Sequence, residues 1–266
     1  MFGMIALAHR TRAFVWRWGL PVALLIAWQT ISTGLLPYDY KVLMPPPTWV
    51  GGALLETLTG GWEQFGMPEL AAHILASLGR QAAGFGLASA LAVPVGLLIG
   101  YLDPARQTLG LLVNLLRPIS PIAWIPLALL ILGLGNPAIL FIVAYGAFFP
   151  IVTNVIAGVR GIEPTLVRAA LTFGCRGPML FREVILPGAL PTVCTGLRLG
   201  MGIGWTSIVA AELVGSRSGL GFMIAYYRMT HATEKVILGM IVVGCLGWLM
   251  DRGLRRLENR LLRWRS

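Results

Sequence analysis

Apolar residues fall into long runs along this chain, separated by short stretches rich in glycine, proline or charge. A helix needs about 20 mostly apolar residues to cross the hydrocarbon core of a bilayer, and the runs predict six such spans. The first covers residues 18–36, after a basic amino-terminal segment (1–17) that carries Arg10, Arg12 and Arg17. That arrangement matches the front of a secretory leader. The run ends in Thr33-Gly34-Leu35-Leu36-Pro37, however, with no small-x-small cleavage site, so it reads as a retained anchor.

Residues 37–80 leave the membrane and then re-enter it. Asp39, Lys41, Glu56, Glu63 and Glu69 make the stretch polar, and Pro45-Pro46-Pro47-Thr48 opens a short surface helix over 48–58. A long helix over 69–101 follows, with 81–100 in the membrane. The remaining spans are 108–132, 137–159, 188–213 and 233–250, leaving a connection at 160–187, a loop at 214–232 and a tail at 251–266.

Six spans put both termini on one side. The tail carries six arginines against two acids, and the 160–187 connection adds Arg160, Arg168, Arg176 and Arg182. The first loop between spans is acidic. The positive-inside rule therefore places the termini and the 160–187 connection in the cytoplasm. Arg217, Arg228 and Lys235 in the last outer loop pull the other way.

Composition agrees with a membrane protein. Hydrophobic residues make up 56% and charged ones 12% of the 266 residues, where a soluble domain carries roughly 25% charged residues. Mean hydropathy is +0.76, which excludes soluble enzymes and nucleic-acid-binding modules despite a net charge of +10. Nineteen arginines stand against two lysines, Lys41 and Lys235, and neither lies in the Gly-Lys-Ser/Thr setting of a phosphate-binding loop. The chain is expected to hold no ATP by that route. Cys175, Cys194 and Cys245 are far apart, and His9, His73 and His231 are scattered, so neither a metal site, a disulfide frame nor an intramembrane enzyme centre is expected.

Small residues recur at every fourth position of the second span (Gly84, Ala88, Ala92, Gly96, Gly100) and again in the fifth (Gly196, Gly200, Gly204). Such stripes let helix backbones approach closely in lipid. Pro94, Pro118, Pro121, Pro126 and Pro150 fall inside spans, where a bundle around an internal pathway tolerates freed backbone carbonyls.

The connection carries the clearest functional signal. Pro164 suits the first turn of a helix and Glu163 places negative charge at its positive end. Gly174 and Gly177-Pro178 end that helix and start a second short one, closed by Pro187. Helices this short are marginal alone in water, so the pair is expected to be a docking element. Arg168-Ala169-Ala170, then Gly174, then Ile185-Leu186-Pro187 resembles the EAA loop of ABC importer permeases. Leu115 to Pro126, Gly146 to Ile151, Ala157-Gly158-Val159-Arg160, Thr195-Gly196-Leu197-Arg198, Val209-Ala210-Ala211-Glu212, Ser218 to Phe222 and Asp251-Arg252 are similar to the nitrate, sulfonate and taurine branch of that family. The resemblance covers about 200 residues, from the second span to the carboxyl end.

What the resemblance implies is an all-α integral membrane protein of the bacterial inner membrane, with a six-helix type I ABC importer permease fold and cytoplasmic coupling helices. It implies two permease copies, a homodimer by default, two ABC ATPase subunits that carry ATP and magnesium, and a periplasmic substrate-binding protein. The ATPase-coupling residues would be Glu163, Arg168, Ala169, Ala170, Gly174, Arg176, Ile185, Leu186 and Pro187. Arg168 departs from the glutamate that opens the family motif, so an acidic or neutral ATPase surface is expected opposite it. The solute would be a small anion: taurine, another sulfonate, nitrate, bicarbonate or a related acid.

Ionisable groups in a membrane are costly and are functional candidates by default. Arg117, beside Asn114 and Ser120 in a proline-broken stretch, is the leading candidate to face an anion, with Trp124 and Trp205 as further lining residues. Glu212 is a pathway candidate too, although it and Arg80 suit a place near the outer interface, where they would either snorkel or pair. Arg198 suits a tie to the cytoplasmic loop. An ion-coupled secondary transporter or channel is the alternative; such proteins show internal repeats and midplane carboxylates, and here no repeat is evident.

Overall fold

The computed structural model describes residues 19–35, 37, 42–59, 61–62 and 67–262, which are almost wholly helical. The predicted segment 1–17, with its three arginines, lies outside the described residues, as do Asp39, Lys41 and Glu63. The chain divides into two compact units, Met1–Ala71 with Ile224–Ile241, and Ala72–Met223 with Val242–Ser266.

In the first unit, α1 spans Gly19–Leu35 and α2 spans Pro47–Thr59, opened by the proline run as the sequence predicts. A two-residue antiparallel pair joins β1 (Gly61–Trp62) to β2 (Met67–Pro68). The Tyr227 hydroxyl donates to Glu69 Oε1 at 2.6 Å. Lys235 Nζ meets Glu56 Oε1 at 2.8 Å and lies 4.8 Å from the Tyr227 ring centre. Burial, reinforced by the adjacent Glu69 carboxylate, pushes the Tyr227 phenol above its usual range.

The longer helices are α3 (Glu69–Tyr101), α4 (Asp103–Leu116), α5 (Ile125–Leu132), α6 (Asn136–Arg160), α7 (Pro164–Thr172), α8 (Pro178–Gly215), α9 (Leu220–Met229) and α10 (Thr233–Leu261). Within the second unit α6 is the central helix: Ile142, Val143, Ala147, Ile151, Val152 and Val155 are all buried. Both small-residue stripes address it. A Cβ built on Gly84, Gly96 or Gly100 would lie 2.7 Å from Val143, Val155 or Val159 respectively, so α3 packs backbone-close along one side. A Cβ on Gly200 would lie 2.6 Å from Ile151 Cγ1 and 2.9 Å from the Ala147 carbonyl oxygen, so α8 packs equally close on another.

The six-span count needs correction. Among the described residues, α3, α6, α8 and α10 alone are long and apolar enough to cross a bilayer. The predicted span 108–132 is not one rod. α4 and the stretch Pro121–Leu132 qualify only as a pair bent by 83°. Pro118 and Pro121 cannot donate to the preceding turn, and the chain recovers through a 3-10 turn at Pro121–Trp124. α1 is a shorter apolar helix; the predicted end residues Trp18 and Leu36 lie outside the described residues. The count reaches six only with the bent pair and α1 included.

A second correction concerns Pro187. It does not close a short helix. Residues 178–215 form one continuous helix, with a π-turn at Phe181–Ile185 immediately before Leu186 and Pro187. The wider turn accommodates the proline ring and its missing N–H without a break. α10 likewise runs past its predicted end, carrying the basic tail as helix to Leu261.

Candidate functional site

The segment between α6 and α8 is built by its glycines. Gly161 N–H donates to the Ala157 carbonyl at 2.8 Å and ends α6. α7 starts at Pro164, with Glu163 at its N-terminal boundary. Cys175 N–H reaches back to the Ala170 carbonyl at 3.0 Å, and Gly174 N–H to Leu171 at 3.1 Å, which ends α7. Gly174 has φ +84° and Gly177 φ +54°, left-handed values that favour glycine. A Cβ on Gly174 would meet nothing within 4 Å, so conformation and not close packing within this chain requires glycine there.

The predicted coupling residues separate into two faces. Val167 and Ala170 pack against the buried core that holds Leu180 and Ile185. Leu186 and Pro187 are half-buried, whereas Glu163, Arg168, Ala169, Gly174 and Arg176 face outward. The outward face also carries apolar residues that sequence reasoning did not single out: Leu166 and Met179, each 57% exposed, and Phe173, 87% exposed. Their signal was an apolar residue at the end of an otherwise polar connection. Tyr101, at the end of α3, meets Phe181 edge-on with ring centres 5.3 Å apart, which fixes the start of α8.

Glu212 and Arg80 are paired. Arg80 Nη1 donates to Glu212 Oε1 at 2.7 Å, and Ser77 Oγ and the Gly221 backbone N–H donate to the same carboxylate at 2.8 and 3.0 Å. Arg80 further donates to Asn136 Oδ1 and the Ser218 carbonyl, each at 2.7 Å. His73 Nδ1 accepts from the Gly219 N–H at 3.0 Å. A Cβ on Gly219 would run into the Glu212 carboxylate, and its φ of +109° is itself glycine-like. This cluster ties α3 to α8 and to the turn after it. Its donors already occupy both Glu212 oxygens.

Arg117 stands at the break between α4 and α5. It lines a cavity of about 310 Å³ with Tyr145, Phe149, Asn154, Leu199 and Ile203. It also lines one of about 500 Å³ with Arg106, Asn114 and Arg160. Ser120 is exposed beside it. The Tyr145 hydroxyl donates to the Leu116 carbonyl at 2.9 Å, which also accepts from the Ile119 N–H at 3.1 Å, so α6 braces the chain at the break. Trp124 packs against Tyr145 with ring centres 5.4 Å apart and planes tilted by 49°, and its buried Nε1 makes no hydrogen bond among the described residues.

Trp205 is a helix tie: its Nε1 donates to the Val243 carbonyl of α10 at 3.0 Å. Arg198 is tied to α10 and not to the 160–187 connection, with Nε 3.3 Å from Asp251 and Nη1 3.2 Å from Glu258. Gln81 escaped sequence reasoning. It is 1% exposed, donates weakly to the Met201 carbonyl at 3.3 Å, and leaves its own Oε1 without a partner among the described residues. A lone amide in an apolar run was the available signal. The described residues contain no cluster of three His, Cys, Asp or Glu placed to hold a metal ion.

Comparison with known proteins fits this architecture. Residues 92–263 match the family described as the binding-protein-dependent transport system inner membrane component. The taurine transport system permease protein TauC of Escherichia coli K12 is 34% identical over 264 residues, covering 96% of this chain and 94% of TauC. The bicarbonate transport system permease protein CmpB of Synechocystis is 32% identical over 240 residues, covering 88% of this chain and 84% of CmpB. The inward-facing MetNI methionine ABC transporter shares the fold with a TM-score of 0.57 at 23% identity, covering 70% of this chain and 95% of that one. The chain therefore belongs to the binding-protein-dependent transport inner membrane component family, as an inner-membrane permease subunit of an ABC importer that works with an ATPase and a binding protein.

Proposed function

We propose that two copies of this chain line a pathway for a small organic or inorganic anion, and that two ATPase subunits drive it by gripping residues 163–187. The observation that carries this reading is the outward face of α7 and the following turn. Leu166, Phe173 and Met179 stand exposed in a segment whose other face is sewn into the core by Val167 and Ala170. Apolar side chains on an element so anchored fit a groove in a partner, and movement of that partner transmits to α6 and α8 directly. ATP and magnesium belong to the partner in this account, the termini and coupling segment are cytoplasmic, and this chain performs no chemistry. Arg168, outward and without a carboxylate partner among the described residues, meets a neutral or acidic ATPase surface.

An anionic solute is supported by the uncompensated Arg117 at the break in the bent helix pair, and by the named substrates of the relatives, taurine and bicarbonate. The test is ATP-driven uptake of radiolabelled taurine, methanesulfonate, nitrate and bicarbonate by the reconstituted complex with its binding protein. Transport of at least one, lost on Arg117→Gln in correctly inserted protein, supports the reading. Uptake of the same anion at wild-type rate after Arg117→Gln removes that residue from the pathway.

A further inference from the structure

Three arginines converge on one cavity. Arg106 from α4, Arg117 from the break after it, and Arg160 from the last turn of α6 line a space of about 500 Å³ together with Asn114. Among the described residues one acid answers them: Asp103 lies 3.3 Å from Arg106, an exposed pair of the kind that contributes little. Arg117 and Arg160 have no carboxylate within 4.0 Å among the described residues. All three are exposed, so water screens part of their mutual repulsion; an anion between them removes the rest, and guanidinium donors match the paired oxygens of sulfonate, phosphate and carboxylate groups. The space far exceeds the roughly 30 Å³ share of one water, so it accommodates an oxyanion with part of its hydration.

We propose that this cavity is an oxyanion-binding site at the end of the permease that leads into the coupling segment, occupied by the charged group of a small anion leaving the pathway. The proposal rests on the anion-import reading and adds a second station to it. Arg160 is the last residue of α6, separated from Glu163 only by Gly161 and Ile162. Movement of the coupling segment therefore reshapes the site, and the anion is released when the partner ATPase pulls on α7.

The test uses the permease–ATPase complex in nanodiscs of phosphatidylcholine alone, with sodium methanesulfonate and sodium phosphate as probes against sodium chloride at matched ionic strength. The thermal midpoint is expected to rise with the oxyanions beyond chloride. Arg160→Gln and Arg117→Gln weaken the apparent affinity about tenfold each, as loss of a charge-assisted contact implies. Arg160→Lys keeps the charge but not the paired donors and so falls between wild type and Arg160→Gln, while the distant Arg256→Gln retains it, which separates loss of binding from loss of fold. No oxyanion-specific rise, or an equal rise in Arg160→Gln, overturns the site and leaves the arginines as solvated charges at the inner interface. Phosphatidylglycerol retained by the wild type and lost on Arg160→Gln in native mass spectrometry, with no small-anion effect, assigns the site to a lipid headgroup and also overturns the proposal. Uptake measured on the same preparation keeps the two readings apart. Import without the thermal rise removes only this site; the rise without import of any anion removes the import reading and leaves the site.

Discussion

Arg80 and Glu212 form an ion pair at 2.7 Å in which the carboxylate side chain is fully buried and the arginine side chain is 12% exposed. The pair joins α3 to α8, and Ser77, Asn136 and Ser218 complete its hydrogen bonds. Removing one partner leaves the other charge buried and uncompensated, which costs about 3–5 kcal/mol. Glu212→Ala and Arg80→Ala should each lower the thermal midpoint of the purified protein sharply. The double substitution should cost less than the sum of the two; strict additivity in that cycle would show that the pair is not coupled.

Close approach along α6 predicts a contrast between glycines of the same helix. Gly200→Val places its Cβ 2.6 Å from Ile151 Cγ1, and overpacking of this kind costs about 1–3 kcal/mol. Gly202→Ala meets nothing within 4 Å and exchanges glycine for the best helix former, a gain of up to about 1 kcal/mol. Thermal denaturation in one detergent reads both. Equal effects would mean that α8 does not lie against α6 in this register.

Trp205→Phe keeps the aromatic volume but removes the donor to the Val243 carbonyl at 3.0 Å. A loss of about 1 kcal/mol is expected, read as a lower midpoint with unchanged far-ultraviolet circular dichroism. No loss would remove Trp205 as the tie between α8 and α10.

Much of this was legible in the sequence. The apolar runs placed α3, α6 and α8 because twenty or more greasy residues admit few alternatives. The stripes at Gly84, Gly96 and Gly200 foretold which faces approach. The cost of lone charges in lipid left Arg80 and Glu212 either to snorkel or to pair, and the structure shows the pair. The proline-broken stretch at Arg117–Pro121 was legible too, but the 83° angle between its halves was not, because it is set by the backbone donors that the prolines lack and by the packing on either side. Pro187 misled for the opposite reason: a proline normally ends a helix, and the π-turn at Phe181–Ile185 leaves no mark in composition. Gln81 and the contacts of His73 depend on which residues meet across helices, and no local pattern encodes that.

Arg168→Glu restores the acid that opens the family motif at an outward position. If the ATPase surface opposite is acidic, the change weakens the permease–ATPase complex, by about tenfold in dissociation constant for one repulsive contact, and if it is neutral the affinity stays near that of the wild type. Tighter association on Arg168→Glu, measured by titrating detergent-solubilised permease with the ATPase, would show a basic groove instead.

The central claim is that this chain is driven mechanically through residues 163–187. Its most direct test is ATP-driven anion uptake and ATP hydrolysis in proteoliposomes carrying the full complex, wild type against Phe173→Ser. Phe173 is 87% exposed, so the permease itself should insert and melt as before. Both uptake and uptake-stimulated hydrolysis are predicted to fall at least about tenfold, the loss of one buried apolar anchor at an interface. Wild-type uptake and hydrolysis with Phe173→Ser, or uphill uptake by the permease without any ATPase, would contradict the account.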